Sequence, residues 1–286
     1  SQSNFILKKL ISSDLFKSVE VSYNSNKFFI KIIEYPSITN FFYKNNERIK
    51  DEDIDNIIDE MQLYTFSESK INYLIEELSK LYQSFGYNNI QIEFRAENYS
   101  NNSSDVYLDF NEGGITKIKK INITGNIFFD SNTILSKIKS KTKKITNIFA
   151  NNNFKVFELN NDLIRIQNFY KVNGFRDVIV NYEVDYFPNN KVEIFFKINE
   201  GQQYFFSALE IKNNLDINND LDKKLLEYVD KKQSNIDSIY YSGKLDEFEY
   251  DIAEILENAG MQYFKITAFE KIDNYKADVL FDISPT

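Results

Sequence analysis

An α+β fold made of tandem β-α-α-β-β repeats is predicted by three features of this 286-residue sequence. The stretch "LYQSFGYNNIQIEF" (81–94) returns as "FYKVNGFRDVIVNY" (169–182) at a constant shift of 88, and self-similarity at a fixed period marks a repeat architecture. Apolar residues recur at helical spacing up to Gly86, Gly174 and Gly260, the last copy following at a shift of 86. Past each glycine the pattern changes from a period of 3.6 to one of 2, the change from an amphipathic helix to a half-buried strand.

Taken in order, "NFILKKLISSDLFKSVEVSYNSNKFFIKII" (4–33) supplies a helix and a hairpin but no leading strand or first helix. The missing half of this first unit is expected upstream or removed. The second unit opens with the strand "FFYKNN" (41–46), which matches "INITGN" (121–126) at a shift of 80. The acid-rich "DEDIDNIIDE" (51–60) follows, placed where the positive end of a first helix favours carboxylates. A calcium reading of these acids fails, because they lack the spacing and glycine of a calcium loop. "TFSE" (65–68) is read as a capping box, and Ile71, Leu74, Ile75, Leu78, Leu81 and Tyr82 as the core stripe of the second helix. Gly86 then closes that helix, with Tyr87 as the accompanying apolar contact. Ile90, Ile92 and Phe94 face one side of the next strand, and Gln91, Glu93 and Arg95 the other.

The third unit repeats the scheme with about eight extra residues around "KSKTKKITNIFANNN" (139–153). Its helical stripe is Leu159, Leu163, Ile166, Phe169 and Tyr170. Its second strand alternates Val178, Val180, Tyr182 and Val184 inward with Ile179, Asn181, Glu183 and Asp185 outward. The turn "FPNN" (187–190) leads into Val192, Ile194, Phe196 and Ile198, completing a hairpin with one buried face. In the fourth unit "LEIKNN" (209–214) matches "INITGN", and Leu245, Phe248, Ile252, Ile255 and Leu256 form the stripe. Each unit is therefore a small sheet covered on one side by two helices and wet on the other. Boundaries fall at Tyr35-Pro36, at Gly113-Gly114 and after Gly201, giving a partial first repeat (1–35) and three further repeats at 36–113, 114–202 and 203–286.

The composition bounds the function. An apolar fraction of 42% and an aromatic fraction of 16% are those of a folded chain. The net charge of -9 opposes binding to nucleic acid, since phosphates are neutralised by concentrated Lys and Arg. With no Cys, His or Trp, thiol nucleophiles, imidazole bases and the usual zinc ligands are missing. No cofactor or metal site is expected. Absent cysteine suits either redox compartment. No apolar run approaches the ~18 residues that span a bilayer, so the chain as given is expected to be soluble.

As an ordered set, "SDLFKSVEV" with "IEYPSI", "FGYNNIQIEF" to "NEGGITKIKKINITGN", and "FYKVNGFRDVIV" to "INEGQQYFFSALEI" resemble the POTRA repeats of the BamA family of outer-membrane protein assembly factors. The resemblance covers nearly the whole chain. It implies a three-stranded mixed sheet on two helices in each repeat, and a periplasmic segment of a Gram-negative outer-membrane protein. Such a segment is a non-catalytic receptor and scaffold for unfolded outer-membrane proteins and accessory lipoproteins, beside a membrane barrel expected C-terminal to it. The fourth copy stops near Ser284-Pro285-Thr286, about where its Glu-Gly is due. A fifth repeat and the barrel are not seen, so the last repeat's contacts in the family are not carried over.

The resemblance also implies that the second strand of each sheet lies at an edge. Unpaired N–H and C=O groups there accept an extended guest whatever its side chains. The candidate edge is that of the third repeat: Asp177, Val178, Ile179, Val180, Asn181, Tyr182, Glu183 and Val184, continuing to Tyr186. Ile179 and Phe195 share its wet face and form a candidate apolar spot. The competing reading is an ordinary protected edge, with Asn181, Glu183 and Asp185 repelling other strands. The lysines of "KIKSKTKK" (Lys137, Lys139, Lys141, Lys143 and Lys144) are read as a solvated loop in preference to a site for anionic head groups. Glu112-Gly113 and Glu200-Gly201 are read as structural. Rival functions are a different transporter of the same superfamily, a repeat adhesin recognising folded partners through side chains, and a carboxylate-pair glycosidase.

Overall fold

The computed structural model describes residues 2–12, 15–25, 27–143, 151–234 and 238–286. They form two compact units. One comprises residues 1–117 with 153–157 and 187–191, the other 118–152 with 158–186 and 192–286.

The first unit begins with helix α1 (Gln2–Ile11) and an antiparallel hairpin of β1 (Phe16–Asn24) and β2 (Lys27–Glu34). Every residue of β2 is exposed, although five of its eight are Phe or Ile. The next elements are β3 (Ser37–Lys44), α2 (Asp51–Glu60), α3 (Glu68–Ser84), β4 (Gln91–Asn98) and β5 (Ser103–Asn111). The sheet order is β3-β5-β4, with β3 parallel and β4 antiparallel to the central β5. Ile54 and Ile58 of α2, and Ile71, Leu74, Leu78 and Tyr82 of α3, bury against Val106, Leu108 and Phe110. The helical and alternating stripes thus meet on one face. The cap of α3 lies two residues beyond the expected Thr65: Ser67 accepts from the Lys70 N–H, and Thr65 instead accepts from the Lys70 ammonium at 2.9 Å. The sequence offers two hydroxyls, and the one adjacent to the first helical residue has the reach to its third N–H.

Mostly in the second unit, apart from their end residues, run β6 (Lys117–Thr124), α4 (Ser131–Lys137), α5 (Val156–Val172), β7 (Ile179–Phe187) and β8 (Lys191–Asn199), in the sheet order β6-β8-β7. They are followed by β9 (Phe205–Asn213), α6 (Asn219–Gln233), α7 (Ser242–Asn258), β10 (Phe264–Asp273) and β11 (Lys276–Pro285). Here the order is β10-β11-β9, with β10 antiparallel and β9 parallel to β11. α4 is a seven-residue helix. The extra residues expected after it fall mostly in 144–150, with Lys144 among them, outside the described residues.

Each second helix ends in the same way. The Gly174 N–H donates to Lys171 O and the Phe175 N–H to Tyr170 O, with Gly174 at φ 89°, so the chain reverses through the left-handed region where a side chain is strained. Gly86 does the same at φ 99°. The Gly86 carbonyl then accepts from Thr116 N–H at 2.9 Å, and Thr116 O from Phe154 N–H at 2.8 Å. In the second unit Gly174 O accepts from Tyr204 N–H at 2.8 Å and Tyr204 O from Tyr240 N–H at 2.9 Å. A backbone relay of equal form thus joins each helix end to the repeat that follows it.

Candidate functional site

A three-stranded sheet has two edges, and the backbone treats them differently here. The first strand of each sheet is covered at its start by the segment leading into the second helix. Isolated antiparallel bridges join Ser37 to Thr65, Lys117 to Asn153 and Phe205 to Ile239. Main-chain bonds flank them: Ile38 N–H to Tyr64 O and Phe66 N–H to Pro36 O, Ile118 N–H to Asn152 O, and Phe206 N–H to Ser238 O. Among the described residues no strand or bridge covers the outer side of β4, β7 or β10. Those second-strand edges keep a row of N–H and C=O groups outside the sheet, the feature that admits an added strand.

On β7 the side chains alternate as the period of 2 requires. Val180 is buried and Tyr182 and Val184 half-buried, while Ile179, Asn181, Glu183 and Asp185 are exposed. Strand β7 starts at Ile179, so Asp177 and Val178 precede it. They belong to the turn after Gly174, where Val178 N–H donates to Phe175 O and the Tyr204 hydroxyl donates to Asp177 at 2.5 Å. That bond is the main reason the Tyr204 phenol is held above its ordinary value, burial adding to it. The buried Val178 offers no side chain to a partner. Ile179 is 55% exposed, and Phe195 is half-buried on the central strand β8. Both lie on the face away from the helices, since Val192, Ile194, Phe196 and Ile198 take the inward positions of β8.

The strand is well anchored behind this edge. The Tyr182 hydroxyl donates to Asn160 of α5 at 2.8 Å, and Glu183 pairs with Lys197 of β8 at 2.5 Å. That ion pair is exposed on both sides and adds little to stability. Below the sheet, Glu200 accepts from the Tyr170 hydroxyl at 2.7 Å and from the N–H groups of Ile127 and Phe128 at 2.9 and 3.0 Å. The Glu-Gly pair is a structural brace. Glu112 is used alike, accepting from the Tyr82 hydroxyl and the Arg48 N–H, both at 2.7 Å.

One buried carboxylate escaped the sequence reading. Asp162 of α5 is fully buried and accepts from the N–H groups of Lys139 and Ser140 at 2.7 and 2.8 Å. It also pairs with Arg165 at 2.5 Å. An acid that follows two asparagines in "LNNDLIR" carries no periodic signal; its position one turn beyond Leu159, on the buried stripe, is the available clue. Three of the loop lysines are used locally: Lys137 lies over the Phe169 ring, Lys141 donates to Leu135 O and Ile138 O, and Lys139 supplies the N–H just described.

The POTRA family model, described as "Surface antigen variable number repeat", matches residues 36–113 and 116–201. The chain is 26% identical over 284 residues to the outer membrane protein assembly factor BamA of Buchnera aphidicola subsp. Acyrthosiphon pisum, covering 97% of this chain and 45% of that protein. It is 25% identical over 211 residues to BamA of Neorickettsia risticii, covering 73% and 28%. The chain thus spans less than half the length of these curated relatives. Among solved structures, POTRA repeats 3–5 of Haemophilus influenzae BamA align over 88% of this chain and 97% of that one, at 15% identity and a TM-score of 0.41.

Proposed function

This chain belongs to the POTRA family, and from that premise we propose that it receives unfolded outer-membrane proteins by strand addition at the second-strand edges, foremost β7. POTRA repeats of this kind are non-catalytic scaffolding modules of the periplasmic region of Gram-negative outer-membrane assembly factors. We further propose that the repeats divide at 1–35, 36–113, 114–202 and 203–286, that accessory lipoproteins dock on the same scaffold, and that a membrane barrel follows in the whole protein.

The observation that carries the reading is the asymmetry of the edges. First-strand edges are covered at their starts by the chain's own backbone; among the described residues, second-strand edges have no such cover. Main-chain pairing is indifferent to side-chain identity, which suits a receptor for many clients. Each added hydrogen bond contributes about 1 kcal/mol net. A guest held by a handful of them stays exchangeable, and its release requires no nucleotide. Within the proposed site, residues 179–184 supply the edge, Ile179 and Phe195 an apolar contact on the wet face, and Asp177 and Val178 the turn that positions the strand.

NMR titration of the chain with unfolded outer-membrane protein peptides tests this. Amide shifts are expected to cluster on residues 89–95, 177–186 and 264–270. Shifts confined to helical surfaces, or to the first strands β3, β6 and β9, would reject strand addition at the second-strand edges.

A further inference from the structure

The glycine caps of α3 and α5 are followed by joints of the same backbone form but of different side-chain chemistry. Arg176 and Asp177 stand after the α5 cap at the repeat positions that Asn88 and Asn89 hold after α3. After α3 the contacts are made by neutral amides: the Asn88 side chain donates to Gly86 O and Phe154 O, both at 3.0 Å, and that of Asn89 to Asn190 at 2.7 Å. After α5 they are made by charges and phenols. The Arg176 guanidinium lies 3.2 Å from the Glu270 carboxylate of β10 and 5.9 Å from the centre of the Tyr240 ring, and the Tyr240 hydroxyl donates to that same carboxylate. Asp177 accepts from the Tyr204 hydroxyl at 2.5 Å, and the Tyr204 ring meets Tyr275 of the β10–β11 turn edge-on, with centroids 5.5 Å apart. Burial first, then the Glu270 carboxylate, hold the Tyr240 phenol above its ordinary value, so it stays a donor.

The relay from Gly174 through Tyr204 to Tyr240 ties the β6-β8-β7 sheet to the β10-β11-β9 sheet through neighbouring backbone groups. A tie of that kind is a pivot. Glu270 lies inside β10, away from the relay in sequence, and its bond to Arg176 is a second point of attachment. Two points fix an angle that one leaves free.

We propose that the Arg176–Glu270 pair is an ionic latch, which fixes the angle between the β6-β8-β7 and β10-β11-β9 sheets at low ionic strength and releases it at high. The side chains of the pair are 47% and 30% exposed, and they line an open hollow of about 340 Å³ together with Lys171, Asp177, Tyr241 and Ser242. Ions in solution therefore reach the pair. Screening extends over ~30 Å at 0.01 M salt and only ~3 Å at 1 M, the second of these close to the separation of the two charges. An exposed pair contributes little to the stability of a fold. It is enough, however, to choose between angles of two sheets that are each folded without it. The joint after α3, built from amides, has no charge to screen.

The chain has no cysteine, so Asn168→Cys on α5 and Asn258→Cys on α7, both exposed, place two spin labels whose separation is read on the whole chain by double electron–electron resonance. The distance distribution is expected to be narrow at ~0.01 M salt and about twofold wider at ~1 M. Arg176→Asn, which puts at this position the residue of the amide joint, should be wide at both. Arg176→Glu with Glu270→Arg should recover the narrow distribution and its response to salt. Widening with the helical circular dichroism intact supports the latch, and widening that accompanies its loss overturns it. A distribution of equal width at both salts overturns it too, as does a narrow one in Arg176→Asn. The salt series leaves the latch residues unsubstituted, so it decides the matter even if a variant fails to fold.

Discussion

Asp162 shows how one side chain organises a stretch that has no regular secondary structure. Its carboxylate takes the N–H groups of Lys139 and Ser140 just after α4, so replacement by Ala leaves two backbone donors without their acceptor and Arg165 short of a partner. Leaving buried donors unsatisfied costs about 1–3 kcal/mol each. Asp162→Ala is therefore expected to lower stability by about 3 kcal/mol, read from the urea midpoint of the second unit. Asp130 behaves differently. It caps α4 by accepting from Thr133 and Asn132, and the Thr133 hydroxyl first, then the Thr133 N–H, hold its carboxyl below the ordinary value. A depressed folded value gives stability that is present above the unfolded value, about 3.9, and is lost as pH falls through the lower folded one. Asp130→Asn keeps a capping oxygen without titrating. Stability near neutral pH should change little, and the acid-side slope between about pH 4 and the folded value should flatten.

Among the elements, the helices and second-strand hairpins were legible because each writes its own period. The stripes ending at Tyr82, Tyr170 and Leu256 face the core, most of their residues buried and Ile75, Leu81, Leu163, Phe169 and Ile255 half-buried, and the alternation of β7 is that of Val180 against Ile179. What could not be read was the covering of the first-strand edges. It is made by residues 64–66, 152–154 and 238–240 through their backbone, and backbone bonds leave no side-chain pattern. The start of α3 was misplaced by two residues for a related reason: Thr65 and Ser67 are chemically alike, and only geometry separates them. Because N–H groups alternate sides along a strand, Ile179→Pro and Val180→Pro are expected to separate two effects. The substitution whose N–H faces outward should weaken peptide capture and leave the melting temperature close to wild type. The other removes a ladder bond to β8 and should lower the melting temperature. Equal behaviour of the two would mean that the outer row of β7 takes no guest. On β5, Tyr107 stacks on Phe42 with centroids 4.8 Å apart and lies under Arg95 at 4.0 Å, in one cross-strand row. Tyr107→Ala should destabilise the first unit by about 1 kcal/mol, measured by denaturant unfolding.

At the scale of the molecule, the repeat is both an element count and a jointing system. Gly174 sits where an added Cβ meets Ile239 Cγ2 at 2.8 Å and Tyr204 O at 3.0 Å, whereas at Gly260 nothing lies within 4 Å. Both glycines have positive φ, so Ala at either carries the left-handed strain of about 1–2 kcal/mol. Gly174→Ala is expected to exceed Gly260→Ala, and the difference, read from paired chemical denaturation curves, isolates the joint; equal losses would mean the joint yields without resistance. The hairpin of β1 and β2 stands outside this system of covered faces, with Phe28, Phe29, Ile30, Ile32 and Ile33 all open to water. A ribbon that greasy on both sides is a handling problem. It should light up a hydrophobic dye, catch on column matrices and seed clumping as the solution is concentrated. Cutting the chain back to Pro36 should quiet all three while the remaining repeats melt as before.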